Sequence, residues 1–303
     1  KYPNEFKYET HHRGVLGFWG DDKYTLPSGR IYVTGTQALV RALLLQAEAD
    51  RAAGLDTGGF VSGYRGSPLG GVDQVLWQAK RHVDKAGIVF NPGVNEDLAA
   101  TSVWGTQQLK VGGGSSDKDG VFALWYGKGP GVDRSGDAIK HANLAGTAPM
   151  GCVVAVFGDD HTAKSSTVAH QSEPGLIAAH VPILNPATIG ELVDYILAGF
   201  ALSRASGCWV GVKALADTVE GSASIEIDPA RHRFRLPDDI TPPPGGLHIR
   251  WPDPPMDQEA RQFRHKLPMV HALADSTFKE VITGDSLGSF VITGGPRQKD
   301  YTI

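Results

Sequence analysis

Cysteine is scarce in this chain, and so are long apolar runs and charge of one sign. The 303 residues include two cysteines, Cys152 and Cys208, each inside an apolar stretch (GCVVAVFG and GCWVGVKAL). Two such positions suit buried free thiols in a reducing compartment; they exclude a disulfide framework and cannot hold a four-cysteine iron–sulfur cluster. No segment approaches the roughly 18 uninterrupted apolar residues of a membrane helix, and KYPNEFKYETHHRG lacks the apolar core of a signal peptide, so the cytoplasm is the expected location. With 29 basic against 33 acidic residues the formal charge is -4, which leaves no basic stripe for a nucleic acid. Metal-ligand spacings are missing too. His11 and His12 stand side by side without a CxxC or HExxH partner, so no metal site is expected in the chain.

What is present is a globular composition, 41% hydrophobic, arranged as alternating apolar runs and helical stretches. Residues 1–24 are unpatterned and read as an extended arm. A helix from Thr36 to Gly54 is followed by the strand Gly59–Tyr64, a turn-rich loop and a helix from Asp73 to about Asp84. Ile88–Phe90 leads to a helix at Asn95–Leu109, Val121–Tyr126 to a glycine loop and a helix at Asp137–Ala145, and Cys152–Phe157 to a polar loop ending near Ala179. Pro182–Leu184, the helix Ile189–Ser203 and the strand Cys208–Lys213 complete the series. This alternation predicts an α/β fold: a doubly wound, largely parallel sheet with helices on both faces, spanning residues 25–235. Proline at the density found in 236–257 predicts a connector. A helix near Gln258–Ala274 and the run Gly288–Gly295 then read as the beginning of a second α/β domain within 258–303.

Ligands of open α/β sheets bind outside the carboxyl ends of the strands, and every loop there is polar or glycine-rich. Glu96, in VNEDLAAT, sits where a strand hands over to a small-residue helix, the place for a catalytic carboxylate. An acidic first turn behind the N-cap Asn95 explains the same residue without any function. The loop Gly127-Lys128-Gly129-Pro130-Gly131-Val132-Asp133-Arg134 combines three glycines with two cations and suits a carboxylate or phosphate. Its spacing is neither GxGxxG nor GxxxxGK[ST], which weakens a nucleotide reading. Tyr64-Arg65-Gly66-Ser67-Pro68 adds a guanidinium and a hydroxyl. The loop from Gly158 to Glu173 is dense in titratable and hydroxyl groups, including His161, Ser165, Ser166 and His170.

The motifs DDKYTLPSGRIYVTGTQALVR, FVSGYRGSPLGGVDQ, PGVNEDLAATSVWGTQQ, WYGKGPGVDRSGDAIKHANLAGT, GDDHTAKSSTVAHQSE and GGLHIRWPDPP, in this order, resemble the N-terminal part of the long, fused indolepyruvate ferredoxin oxidoreductases. These are thiamine-diphosphate enzymes of the 2-oxoacid:ferredoxin oxidoreductase superfamily. The resemblance runs from about Asp21 to Pro255 and implies a pyrimidine-binding domain. It implies that Glu96 hydrogen-bonds the aminopyrimidine ring of the cofactor and favours its activating tautomer, with Gly66 beside the cofactor. Ser67 would meet the substrate carboxylate, and Arg65, Lys128, Arg134, His161, Ser165, Ser166 and His170 would line the substrate side. A carboxyl that shares a proton is served by desolvation, for which Val94, Leu98, Ala99 and Val103 are the expected source. Family members carry a diphosphate-binding domain with a GDG…NN magnesium motif and iron–sulfur domains or subunits, absent from this sequence. The implied activity is therefore shared: oxidative decarboxylation of an aryl 2-oxoacid to acyl-coenzyme A, with electrons passing to ferredoxin, in an oligomeric assembly that binds neither nucleic acid nor membrane. The other reading the sequence leaves open is a non-catalytic partner or assembly module of such a complex.

Overall fold

Strands that are buried on both faces carry almost no polar residues, and Val121–Lys128, Cys152–Asp159 and Trp209–Leu215 in the middle of this chain are of that kind. The computed structural model describes residues 20–163, 167–231, 241–274, 289–292 and 301–302. In chain order the elements are α1 (Asp22–Thr25), β1 (Gly29–Thr34), α2 (Gly35–Ala52), β2 (Gly58–Gly63), α3 (Val72–Gln78), α4 (Lys80–Lys85), β3 (Ile88–Phe90) and α5 (Glu96–Thr106). Then come β4 (Val121–Lys128), α6 (Gly129–Arg134), α7 (Gly136–Ala145), β5 (Cys152–Asp159), α8 (Glu173–Ala178), β6 (Ile183–Asn185), α9 (Ile189–Ser206) and β7 (Trp209–Leu215). α10 (Ala216–Val219), β8 (Ser222–Ile227), α11 (Pro255–Arg261), α12 (Leu267–Leu273), β9 (Ser289–Ile292) and β10 (Tyr301–Thr302) complete the described chain.

The main sheet runs β10-β9-β6-β7-β5-β4-β2-β3, and its strands from β6 to β3 are all parallel. Alternate residues of each strand serve opposite faces. Phe122, Leu124 and Tyr126 of β4 join α2 and α9 in one core, while Val121, Ala123 and Trp125 join α5 and α7 in the other. On the second face Ala99, Ala100, Ala138 and Ala142 are among the buried helix residues, and such small side chains let α5 and α7 lie close to the strands. The doubly wound α/β architecture expected from the alternation is thus present. Both cysteines are buried free thiols. Among the described residues no helix is long and apolar enough to cross a membrane.

Four expectations are corrected. Asp22–Thr25, expected in the extended arm, is a helical turn; buried Tyr24 and the carbonyls of Tyr24 and Leu26, both bound by the fully buried Arg41 at 2.6 Å, tie it to α2. Residues 1–19, with His11 and His12, lie outside the described residues. The helix expected over Asp73–Asp84 is two, α3 and α4, meeting at Ala79. Between the arm and the first long helix lies a strand the sequence reading passed over, β1, which pairs with β8 in an antiparallel ribbon whose Ile31, Val33, Ile225 and Ile227 face the core.

The largest correction concerns the tail. β9, expected to open a second α/β domain, pairs antiparallel with β6 and extends the same sheet, because β6 would otherwise present an unpaired edge. α11 and α12, joined through the π-helical turn Gln262–Lys266, also belong to the body. Met269, Val270 and Leu273 are buried in the core shared with α9, each side chain favouring docking by roughly 1.5–3 kcal/mol. The described part of the connector is tied down by Leu247, buried in the same core, by Ile249 N–H donating to Thr147 O at 3.0 Å, and by Asp253, which takes both amino groups of Arg261.

Lys266 is fully buried, and its ammonium donates to Asn143 O at 2.6 Å in the last turn of α7, where a helix has carbonyls to spare. Burial pushes its pKa down from 10.5 to about 8; Cys208 and Asp253 oppose the shift and Arg261 adds to it. Between these two values the unfolded chain holds a proton that the folded chain has released. Stability contributed by neutral Lys266 is therefore full above about pH 10.5 and is lost as the pH falls through about 8, a span worth about 3 kcal/mol. Denaturant unfolding across this window, in the wild type and in Lys266→Met, reads the slope. If the variant keeps the wild-type slope, another group carries it.

Candidate active site

β3 ends at Phe90, and the next residues stay beside β2: Asn91 N–H donates to Val61 O at 2.9 Å and Gly93 N–H to Gly63 O at 2.8 Å. Asn95 then caps α5, its side-chain oxygen accepting from Leu98 N–H at 2.8 Å. The capping task is thereby taken by Asn95 and not by the carboxylate of Glu96. Glu96 is half-buried at the first helical position, and its carbonyl oxygen accepts from Trp125 Nε1 at 3.0 Å. Its side chain reaches across to the strand–helix junction of β4 and α6. A Cβ added to Gly131 would lie 2.5 Å from Glu96 Cγ and 2.8 Å from Oε1, and one on Gly127 would lie 3.3 Å from Cγ. Glycine at 131 is what makes room for the carboxylate. Of the four residues expected to dry it, Ala99 and Val103 are buried, whereas Val94 and Leu98 are exposed because α5 turns that side away from the sheet.

The expected glycine loop is also reshaped. β4 continues to Lys128, and Gly129–Arg134 is the helix α6, opened by Pro130, whose fixed φ suits a first turn. Lys128 stands at its N-cap, while Arg134 is exposed in its last turn, so the two cations flank α6 instead of sharing one loop. Gly66 of the β2 loop rests on Lys128: a Cβ there would lie 2.7 Å from Lys128 Cδ. Arg65 is exposed, and the Ser67 hydroxyl donates to Glu220 Oε1 at 3.1 Å. Below this loop the buried Tyr126 hydroxyl is bound to Asp73, and burial together with that carboxylate raises its pKa.

At the end of β5, His170 lies over Gly129. Its Nε2 is 2.9 Å from Asp133 Oδ2 and its Nδ1 3.6 Å from Asp159 Oδ1. His161 is exposed, with Nδ1 3.1 Å from His170 O. Ser165 and Ser166 lie outside the described residues. Asp159 is fully buried; it accepts from Ser172 N–H at 2.9 Å and Ser172 Oγ at 2.6 Å, and Lys213 Nζ of β7 stands 3.7 Å away while also binding Glu173. Burial acts to raise the Glu173 pKa, but the hydrogen bond and charge of Lys213 outweigh it and hold that carboxyl below its ordinary range. Glu96, Gly66, Lys128, His161 and His170 thus gather at the carboxyl ends of four neighbouring strands, β3, β2, β4 and β5.

No family model matches the chain. Over 165 residues, 54% of this chain and 24% of the relative, it is 27% identical to the indolepyruvate oxidoreductase subunit IorA of Methanothermobacter marburgensis. Its fold resembles that of a 2-oxoglutarate:ferredoxin oxidoreductase from Magnetococcus marinus, solved with 2-oxoglutarate, coenzyme A and succinyl-CoA bound. The TM-score is 0.55 and the identity 14%, over 82% of this chain and 45% of that one. The likeness to these two oxidoreductases thus covers part of the sequence in the first and the fold in the second. It spans about a quarter of the length of its curated relative and under half of the solved structure.

Three groups around the crevice escape the sequence reading. Asp159 and Lys213 are charges at the carboxyl ends of otherwise apolar strands, and such an interruption is the signal that marks them. Glu220 follows the four-residue α10 and meets Ser67 across 153 positions, which no local pattern announces. Among the described residues no three His, Cys, Asp or Glu side chains are grouped to hold a metal ion.

Proposed function

We propose that this chain forms the aminopyrimidine-activating half of a thiamine-diphosphate site in an oxidoreductase that converts an aryl 2-oxoacid of the indolepyruvate type to its acyl-coenzyme A, with electrons passing to ferredoxin. The observation that carries this reading is the Glu96 carboxylate, released from helix capping by Asn95 and accommodated by Gly131 at the β4–α6 junction. A carboxyl so fixed can hold or give up a proton at one ring nitrogen, which is the task an aminopyrimidine sets. When bound, thiamine diphosphate supplies the electron sink for decarboxylation.

The chain's own residues bind and orient. Gly66 allows the β2 loop to approach closely above Lys128. Lys128 and Arg65, which make no ion pair with another described residue, offer positive charge to a substrate carboxylate at the end of β4 and β2, with Arg134 and His161 farther out. Ser67 directs its proton at Glu220, so it meets a carboxylate after that hydroxyl turns. Ser165 and Ser166 are assigned to the same substrate side by their motif. The diphosphate, magnesium and iron–sulfur clusters are held by other domains or subunits of the assembly.

The test is reduction of a viologen dye by the assembled enzyme containing this chain, with indolepyruvate and coenzyme A, with and without thiamine diphosphate. Turnover dependent on the cofactor is expected. Turnover that survives Glu96→Gln unchanged would place the activating carboxylate elsewhere and leave this chain as a partner module.

A further inference from the structure

We propose that His170 is a positioning residue that clamps α6 and thereby fixes where the Glu96 carboxylate rests. The assignment of Glu96 rests on the function proposed above, whereas the clamp itself stands on the geometry of α6. Six residues are too few to hold a helix by their own hydrogen bonds, since the first turn costs more chain entropy than one bond returns. α6 therefore depends on what grips it from outside. Its first turn carries two glycines with their Cα faces covered by side chains from elsewhere. A Cβ on Gly129 would fall 2.0 Å from His170 Nδ1 and 2.4 Å from Cγ, and a Cβ on Gly131 would fall against Glu96. The imidazole and the carboxylate thus press on the same turn, two residues apart.

His170 is held from two directions. Nε2 meets Asp133 Oδ2 at 2.9 Å, a residue of α6 itself. Nδ1 is buried, has no hydrogen-bond partner among the described residues and lies 3.6 Å from Asp159 Oδ1. Asp159 is fixed in turn by both bonds from Ser172 and by Lys213, so this side of the clamp is anchored in the two central strands β5 and β7. Nε2 is bonded to α6, and Nδ1 lies between Gly129 of α6 and Asp159 of the sheet. A ring placed in this way, bonded to Asp133 and packed between α6 and Asp159, is built to transmit position from sheet to helix; a substrate group would have to break the Asp133 contact to use Nε2.

The experiment is hydrogen–deuterium exchange on the assembled enzyme, followed peptide by peptide, together with its steady-state kinetics. In His170→Ala the amides of α6 are expected to exchange about ten-fold faster or more, while those of β5 and β7 keep their protection. In the same variant kcat falls by about ten-fold with KM for the 2-oxoacid changed by less than about two-fold. Asp133→Asn, an exposed change that spares the core, loosens α6 in the same direction, and His170→Gln, which keeps a donor for Asp133, restores part of the protection. Unchanged α6 exchange in both His170→Ala and Asp133→Asn overturns the clamp. Faster α6 exchange with an undiminished kcat overturns its link to Glu96. If the wild type shows no thiamine-diphosphate-dependent turnover, the proposed function fails by itself, and the exchange data still decide the clamp.

Discussion

Under the proposed function, Glu96→Gln is expected to lower thiamine-diphosphate-dependent turnover of the assembled enzyme by about 10²- to 10⁴-fold, the range associated with losing a positioned proton-transfer group. The carboxamide has the shape of the carboxylate, so it fits the space left by Gly131, and the bond from Trp125 survives because it goes to the backbone carbonyl. What is lost is the ability to carry a proton at that point. Stability should stay within about 1 kcal/mol of the wild type, since no buried group loses its partner. Rate and thermal unfolding measured side by side separate the two effects. A variant that turns over normally removes Glu96 from the chemistry, and one that unfolds early makes it a structural residue.

Lys213→Ala is expected to destabilise the protein by about 3–5 kcal/mol, the cost of breaking a buried pair by removing one partner. Lys213 is 4% exposed, and its ammonium serves both Glu173 and the fully buried Asp159. Without it Asp159 keeps the two bonds from Ser172 but loses the cation beside it in the sheet. Adding Asp159→Asn to the variant should recover part of the loss, because the second change removes the stranded charge. The pH dependence adds a second check. Lys213 holds the Glu173 pKa below its ordinary 4.5, so this contribution is present above about pH 4.5 and is lost as the pH falls through the lower, folded value. In Lys213→Ala that acid-sensitive part disappears. Denaturant unfolding near neutral pH and through the acid range measures both, and a loss below about 1 kcal/mol would mean that the site relaxes or admits water.

How far the sequence discloses all this depends on whether a signal is local. The parallel strands are legible because a strand buried on both faces must be apolar along its length, as in Cys152–Phe157. Asn95 and Glu96 are legible because capping has a one-turn vocabulary. The β1–β8 ribbon is not, since GRIYVT acquires its meaning from a partner nearly two hundred residues away. The destination of β9 is equally hidden: Ser-Phe-Val-Ile fits any open sheet edge, and only the three-dimensional exposure of the β6 edge decides which. At the site, Gly-Pro-Gly reads as a loop because two glycines oppose a helix, and the structure forms one there because the two glycines admit His170 and Glu96. The place of Glu96 is legible, but its surroundings are not, because helix phase, not proximity in sequence, turns Val94 and Leu98 outward.

The ribbon has a further consequence, for the order in which the protein can be made. Tyr32 and Ser222 are 190 positions apart, and Arg204 grips Asp50 of α2 from 154 positions away. A ribosome adding roughly 5–20 residues each second delivers β8 on the order of ten to forty seconds after β1. For most of that interval the newly made α2 has no α9 to cover its leucines. Vectorial synthesis therefore leaves the first long helix among the described residues waiting for one made some 150 residues later, with its apolar face uncovered on the nascent polypeptide until then.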